Sequence, residues 1–254
     1  MKTRNTLPLP SFYDPKHASE WSYRPDVAAL LAQATDWSMT HAIPTAAADK
    51  NQPNIHLLII DAQKDFCFPE GTLYVGGRSG TGAMDDNRRL AEFIYRNLGY
   101  LSRITATLDT HFAFQIFFPS FWLRADGNPP PAHTVVTSKM VRNGEIRPHP
   151  AMAPLFASGN YYWLLEQVAF YCERLEKGGR YQLYLWPPHC ELGSDGHALA
   201  GLIYEAAIFH GFARKAQLEL EVKGTHPLTE NYSIVQPEVL ERFDGKPLAQ
   251  KNTR

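Results

Sequence analysis

Apolar positions along this chain fall into short aliphatic runs and into stretches of helical spacing, and the two kinds alternate. Residues 55–60, Ile-His-Leu-Leu-Ile-Ile, form one such run, which stops at Asp61 and opens into a loop holding Gly71, Gly76, Gly77 and Gly80. An aliphatic run bounded by turn residues predicts a strand over 55–61. Residues 85–98 carry apolar positions at helical spacing and predict an amphipathic helix, and 103–109 returns to a strand pattern that ends at Asp109. Strand, helix and strand in that order make a βαβ unit, for which a right-handed crossover is expected. Further on, the rhythm predicts a helix over 161–177, a strand over 181–186, a helix over 195–215 and a strand over 218–223 that closes at Lys223. The alternation calls for an α/β fold: a doubly wound, mostly parallel sheet with helices on both faces.

Two stretches depart from this rhythm. Residues 1–53 are rich in Pro, Ala and Thr and lack a core-strand pattern, so they read as an N-terminal arm with one short helix around 25–31, ahead of a body over 54–254. Residues 112–158 are broken by Phe117-Phe118-Pro119, Pro129-Pro130-Pro131, Pro148 and Pro150. Loops this long inside a compact domain are usually functional or disordered. The aromatics Phe112, Phe114, Phe117, Phe118, Phe121 and Trp122 favour packed structure, and the stretch is expected to cover the site.

Bulk composition narrows the functional classes. A chain of 254 residues with 44% hydrophobic content can bury a sizeable core, and a net charge of −1 with both signs mixed gives no electrostatic footprint for nucleic acid or an anionic membrane. No run of about 18 apolar residues is present to span a bilayer. The first ten residues have no apolar stretch of the kind a secretory signal needs. Three scattered cysteines, Cys67, Cys172 and Cys190, do not make a disulfide framework, and a reducing, cytoplasmic setting is expected.

The chemistry gathers at strand ends. In open α/β sheets, ligands bind beyond the carboxyl ends of the strands. Asp61, Asp109 and Lys223 each close a predicted strand, and His111 follows Asp109 by two residues. Imidazole with carboxylate suits Zn, Fe or Mn, although Asp-x-His alone is weak evidence and reads first as a capped strand end. His189 adds to the pair, because Pro187 and Pro188 restrict the backbone before it and favour a third ligand over a mobile surface histidine. A lysine beside a carboxylate at a partly buried edge can serve a proton relay or polarise a carbonyl, as Lys223 and Asp61 would. The plain alternatives are a solvated strand end for Lys223 and helix or turn caps for Asp61 and Asp65.

Five motifs in order carry a family resemblance: Ile60-Asp-Ala-Gln-Lys-Asp-Phe-Cys-Phe-Pro, Gly71-Thr-Leu-Tyr-Val-Gly-Gly, Asp109-Thr-His111, Trp186-Pro-Pro-His189-Cys190-Glu-Leu-Gly, and Lys223-Gly-Thr-His-Pro-Leu-Thr-Glu-Asn-Tyr-Ser. Together they resemble the nicotinamidase/pyrazinamidase branch of the isochorismatase-like cysteine hydrolases. The resemblance implies a three-layer α/β hydrolase domain that converts a small carboxamide such as nicotinamide to its acid and ammonia, within NAD metabolism. It implies Asp61 as general base assisted by Lys223. Asp109, His111 and His189 would hold a divalent metal, Zn first and Fe or Mn next, that orients the pyridine nitrogen. Phe66 and Trp122 are the candidates to stack on that ring. A small-molecule amide is the implied partner, a homo-oligomer is allowed, and nucleic acid and membrane are not expected.

Three departures from the family pattern stand out. The family nucleophile is a cysteine in a later strand-to-helix turn, and none follows Lys223 here; the expectation is a C-terminally incomplete sheet with an exposed apolar edge. Gln115 and Phe118 stand where many relatives place another histidine. The segment between His111 and Trp186 is also longer than in compact relatives. Two rival readings follow: a non-catalytic metal- or ligand-binding relative, and a hydrolase in which the metal activates water.

Overall fold

The computed structural model describes residues 6–48, 55–179 and 181–252. The remaining positions, including the start of the arm, residues 49–54 and the last two residues, lie outside the described residues. The elements run in the order α1 (Val27–Thr40), β1 (Ile55–Ile59), α2 (Lys64–Cys67), α3 (Gly82–Arg96), β2 (Leu101–Asp109), β3 (Trp122–Arg124), β4 (Val135–Val136), α4 (Ser138–Arg142), β5 (Ile146–Pro148), α5 (Met152–Phe156), α6 (Tyr161–Gly178), β6 (Leu183–Tyr184), α7 (Gly201–Arg214) and β7 (Leu218–Lys223). Packing divides the chain into two units, Met1–Leu108 with Asp195–Glu221, and Asp109–Ser194 with Val222–Arg254. No helix among the described residues is long and apolar enough to cross a membrane.

The first unit carries the α/β character expected from the alternation. A three-stranded sheet runs in the order β1-β2-β7, and β1 pairs parallel with β2 from Ile55↔Leu101 to Ile59↔Ala106. Helix α7 packs against both α1 and α3. Ala91, Ile94 and Tyr95 of α3 and Ile203, Ala206 and Phe209 of α7 are buried in one apolar cluster, with Tyr95 edge-on to Phe209 at 5.5 Å between ring centres. Glu205 of α7 is buried among them, and the hydroxyls of Tyr95 (2.8 Å) and Tyr23 donate to its carboxylate. His210 and Arg214 both meet the carbonyl of Leu101, at 2.9 and 3.2 Å, and so pin the end of α7 to the start of β2. Leu58, Ile60 and Leu220 of the sheet region are exposed.

Where an arm with one short helix was expected, the described part of the N-terminal segment is built into this unit. α1 spans 14 residues and is capped by Asp26, whose carboxylate accepts from the amides of Ala28 and Ala29 at 3.0 Å. Its buried positions are Leu30 and Ala34, four apart on one face. Alanine-rich helices show little contrast between faces, which is why the pattern hid its length.

The second unit gathers around α6. Its C-cap, Gly179, takes a left-handed φ of 65°. Strand 181–186 was expected in the main sheet; instead Leu183–Tyr184 pairs antiparallel with Val135–Val136. Pattern alone marks an apolar strand but not its neighbour, and Pro187 and Pro188 end it early. The irregular stretch 112–158 folds into real structure: β3 and β5 pair antiparallel, and α4 and α5 pack on α6. Phe117, Phe121, Trp122, Leu164 and Val168 are all fully buried in its core.

Candidate functional site

Backbone hydrogen bonds sew three chain segments into one site within the second unit. The amide of Thr110 donates to the carbonyl of Lys223 (2.9 Å), that of His111 to Cys190 (3.1 Å), and that of Leu192 back to His111 (3.0 Å). The loop after His111 is tied in as well. The amide of Ile116 donates to the carbonyl of Pro227 at 2.8 Å, and that of Trp186 to Phe117 at 2.8 Å. The ends of β2 and β7 and the proline-bracketed loop are thereby held in register without a side chain.

Into this frame project Asp109, His111 and His189, all buried, with one ligand atom from each lying within 4.8 Å of the others. His111 Nε2 stands 3.0 Å from Asp109 Oδ2, and His189 Nε2 stands 3.7 Å from the same oxygen. The opposite ring nitrogens face carbonyls, His111 Nδ1 that of Gly224 at 3.1 Å and His189 Nδ1 that of Pro187 at 2.8 Å. A carbonyl can only accept, so each Nδ1 carries a hydrogen and each Nε2 is turned toward Asp109. That outer arrangement is how metal-bound histidines are usually oriented. Two imidazoles and a carboxylate converging as a buried cluster therefore fit a divalent cation.

Electrostatics favours an ionised centre. Burial alone would raise the Asp109 pKa, but hydrogen bonds with His111 and His189 and the charge of Lys223 outweigh it and hold the group below the usual carboxylate range. Lys223 Nζ lies 3.6 Å from Asp109 Oδ1 and donates to the carbonyl of Asn231 at 3.1 Å. Aromatic edges wall the histidines. Phe117 and Phe118 meet His111 edge-on at 4.8 and 5.6 Å, and Phe118 meets His189 at 5.5 Å.

Of the residues singled out from the sequence, Asp109, His111, His189 and Lys223 come together here. Trp122 belongs to the same unit but is fully buried, its indole donating to the carbonyl of Ile116 at 2.6 Å. It anchors the loop that carries Phe117 and Phe118, and no ring face is left for a ligand. Asp61 and Phe66 belong to the first unit, where both line a groove of about 740 Å³ with Leu58, Cys67 and Asn87. Asp61 takes a left-handed φ of 55°, with Thr107 Oγ1 accepting from its amide at 3.0 Å and donating to its carboxylate at 3.2 Å.

Sequence reading missed several participants. Gly224 is one: at φ +82°, a Cβ there would fall 2.6 Å from Asp109 Oδ1 and 2.6 Å from His111 Cε1. Gln115 is another, donating to the Gly224 carbonyl at 3.0 Å. Glu230 is a buried carboxyl whose pKa is pushed well up by burial and by Asp109, with Lys223 opposing. Gly224 and Glu230 stand inside the motif that opens at Lys223 but carried no role there, and Gln115 was marked only as standing where many relatives place a histidine.

All three cysteines are buried and free of disulfides. Burial pushes the Cys67 thiol up to about 11, although its Sγ donates to Asn87 Oδ1 at 3.7 Å. Burial inside α6 also raises Cys172.

No family model and no curated protein matches the chain. Solved structures do. The yeast nicotinamidase bound to the inhibitor nicotinaldehyde aligns with 18% identity and a TM-score of 0.43 over 72% of this chain and 62% of its own. A second structure of the yeast nicotinamidase gives 19% identity and a TM-score of 0.43 over the same shares, 72% and 62%. A nicotinamidase/pyrazinamidase from Acinetobacter baumannii gives 18% identity and a TM-score of 0.41 over 74% of this chain and 60% of its own. The chain thus spans less than two thirds of these proteins' lengths.

Proposed function

We propose that this chain recognises a small carboxamide of the nicotinamide type at the Asp109 cluster, as part of a nicotinamidase-like amidase. The observation that carries the reading is the convergence of His111 Nε2 and His189 Nε2 on Asp109 Oδ2, with both Nδ1 atoms committed to carbonyls. In this reading Asp109, His111 and His189 hold a divalent ion, Zn by preference for such a donor set and Fe or Mn next. Bound there, the ion supplies a Lewis acid that orients the ligand's ring nitrogen. Phe118 shields the histidines from water, and Lys223 balances the charge of Asp109. Asp61 takes the role of general base, and Phe66, on the same groove, that of a ligand contact. A cytoplasmic place in NAD metabolism belongs to the same reading.

Hydrolysis by the covalent route needs a thiolate to attack the amide carbon, a proton to leave with ammonia, and water to open the thioester. A thiol held near 11, such as Cys67, is a poor source of thiolate at neutral pH. Cys172 sits inside a helix core, and Cys190 is fully buried with its carbonyl spent on the His111 amide. The covalent route therefore requires a nucleophile other than these three. This observation also favours the second reading, a ligand-binding relative without turnover.

Calorimetry with nicotinamide and an ammonia-release assay test the proposal together. Nicotinamide is expected to bind the metal-loaded protein and not His189→Ala, with negligible ammonia release. Absence of both metal uptake and nicotinamide binding would remove the proposal. Turnover that survives Cys67→Ala and Cys190→Ala but is lost with a chelator would assign hydrolysis to metal-activated water instead.

A further inference from the structure

The first unit holds a cavity of about 380 Å³ that shares no residue with the Asp109 cluster. Its walls are mostly apolar, formed by Pro25, Leu108, Leu199, Leu220 and Tyr204, and Lys64 lines it too. Only 5% of Lys64 is exposed. Its ammonium lies over the ring of Trp21 at 5.2 Å, and no hydrogen bond or ion pair engages it among the described residues. An ammonium carries three donors, and an aromatic face satisfies none of them as a carboxylate would. At the cavity wall those donors are left to solvent or to a ligand within the cavity. Burial lowers the Lys64 pKa, against the opposing pull of Asp195.

The other charged side chains on the cavity sum to zero, and His197 lines it as well. Arg24 also lines it and is paired with Asp195 at 3.5 Å, so this pair cancels and Lys64 remains as the net charge. Gly201 starts α7 at the cavity wall, and its N-cap, Ala200, offers no side-chain acceptor to the first turn of that 14-residue helix. Such a helix start carries a partial positive charge and open amides. A Cβ at Gly201 would stand 2.3 Å from the carbonyl of Tyr23, so the glycine is what lets the 23–25 segment close over this end of the helix.

We infer that this cavity is a binding site for a small monocarboxylate with an apolar body, its carboxylate on Lys64 and the α7 N-terminus and its hydrocarbon against the leucines. One net positive charge suits one negative charge, and the apolar walls disfavour a compact, strongly hydrated anion. Nothing in the proposed carboxamide chemistry uses these residues.

Titration calorimetry with sodium benzoate tests it, with benzyl alcohol as the neutral counterpart. Saturable binding of about one benzoate per chain is expected, at least tenfold tighter than benzyl alcohol. Lys64→Met should weaken benzoate at least tenfold. Ala198 is exposed on the cavity wall, so Ala198→Trp fills the space without touching the core and should abolish binding even if Lys64→Met folds poorly. His189→Ala should bind benzoate as the parent does. Benzoate binding that is absent from the parent, unchanged by Ala198→Trp, or lost in His189→Ala would overturn the inference.

Discussion

His111 is held between two acceptors, Asp109 Oδ2 at 3.0 Å from its Nε2 and the Gly224 carbonyl at 3.1 Å from its Nδ1. Only the Gly224 contact fixes a hydrogen, since the carbonyl has none to give. The Nε2 side is then the variable one: it can donate a proton to the Asp109 carboxylate or offer its lone pair to a cation in that place. His189 repeats the arrangement through Pro187, so two imidazoles from different segments present the same nitrogen to one carboxylate.

The first prediction follows from this relationship. Purified protein is expected to carry about one divalent ion per chain, and His189→Ala to lower metal affinity at least tenfold. Elemental analysis after dialysis against limiting zinc measures it. Equal metal content in the two proteins would take His189 out of the site.

Gly224 offers a test that leaves every ligand in place. A methyl group there meets Asp109 and His111 at 2.6 Å, and its φ of +82° suits glycine. Gly224→Ala is expected to cost more than about 1 kcal/mol of stability and to lose metal along with it. Chemical denaturation and metal analysis read the two effects. An alanine variant with parental stability and metal content would show that the segments can separate without loss.

The cysteines should be unreactive while the chain is folded. Burial raises Cys67 to about 11 and Cys172 further still, and Cys190 is fully buried. Iodoacetamide at pH 8 is expected to modify none of the three within minutes and all three once the chain is unfolded in urea. Mass spectrometry counts the adducts. Rapid labelling of Cys67 in the native protein would reopen it as a candidate nucleophile beside Asp61.

His210 supplies a pH dependence. Burial lowers its pKa from 6.5 to about 4, with the Leu101 carbonyl opposing the shift. The unfolded chain therefore binds a proton below about pH 6.5 that the folded chain refuses until about pH 4. Stability from this group is fully present above 6.5 and is lost as pH falls from there toward 4, by up to about 3 kcal/mol. Urea unfolding of the parent and His210→Gln at pH 7 and pH 4.5 isolates the term. The gap in stability between the two proteins should shrink at the lower pH by about that amount, and an unchanged gap would refute the assignment.

Much of the site was legible because strand ends are written locally. An aliphatic run that stops at a charged residue places that residue at a sheet edge whatever the rest of the chain does, and Asp109 and Lys223 close strands as their runs predict. Proline pairs are local too, which is why His189 could be singled out. Helices α3 and α6 were readable from their spacing to within a few residues, since amphipathic period is set by the helix itself.

What the sequence left undetermined depends on partners distant along the chain. The two-residue strand β6 chose Val135–Val136 because pairing is decided by neighbours in space, which no local pattern records. α1 was underestimated because its stability comes from docking Leu30 and Ala34 in the first unit's core. Trp122 looked like a ligand wall and became a core anchor, since an aromatic side chain reads the same in both roles until its surroundings are known. Gly224 and Gln115 acquired their meaning only when the ends of β2 and β7 met, because a carbonyl that orients an imidazole is contributed by whichever backbone the fold brings there.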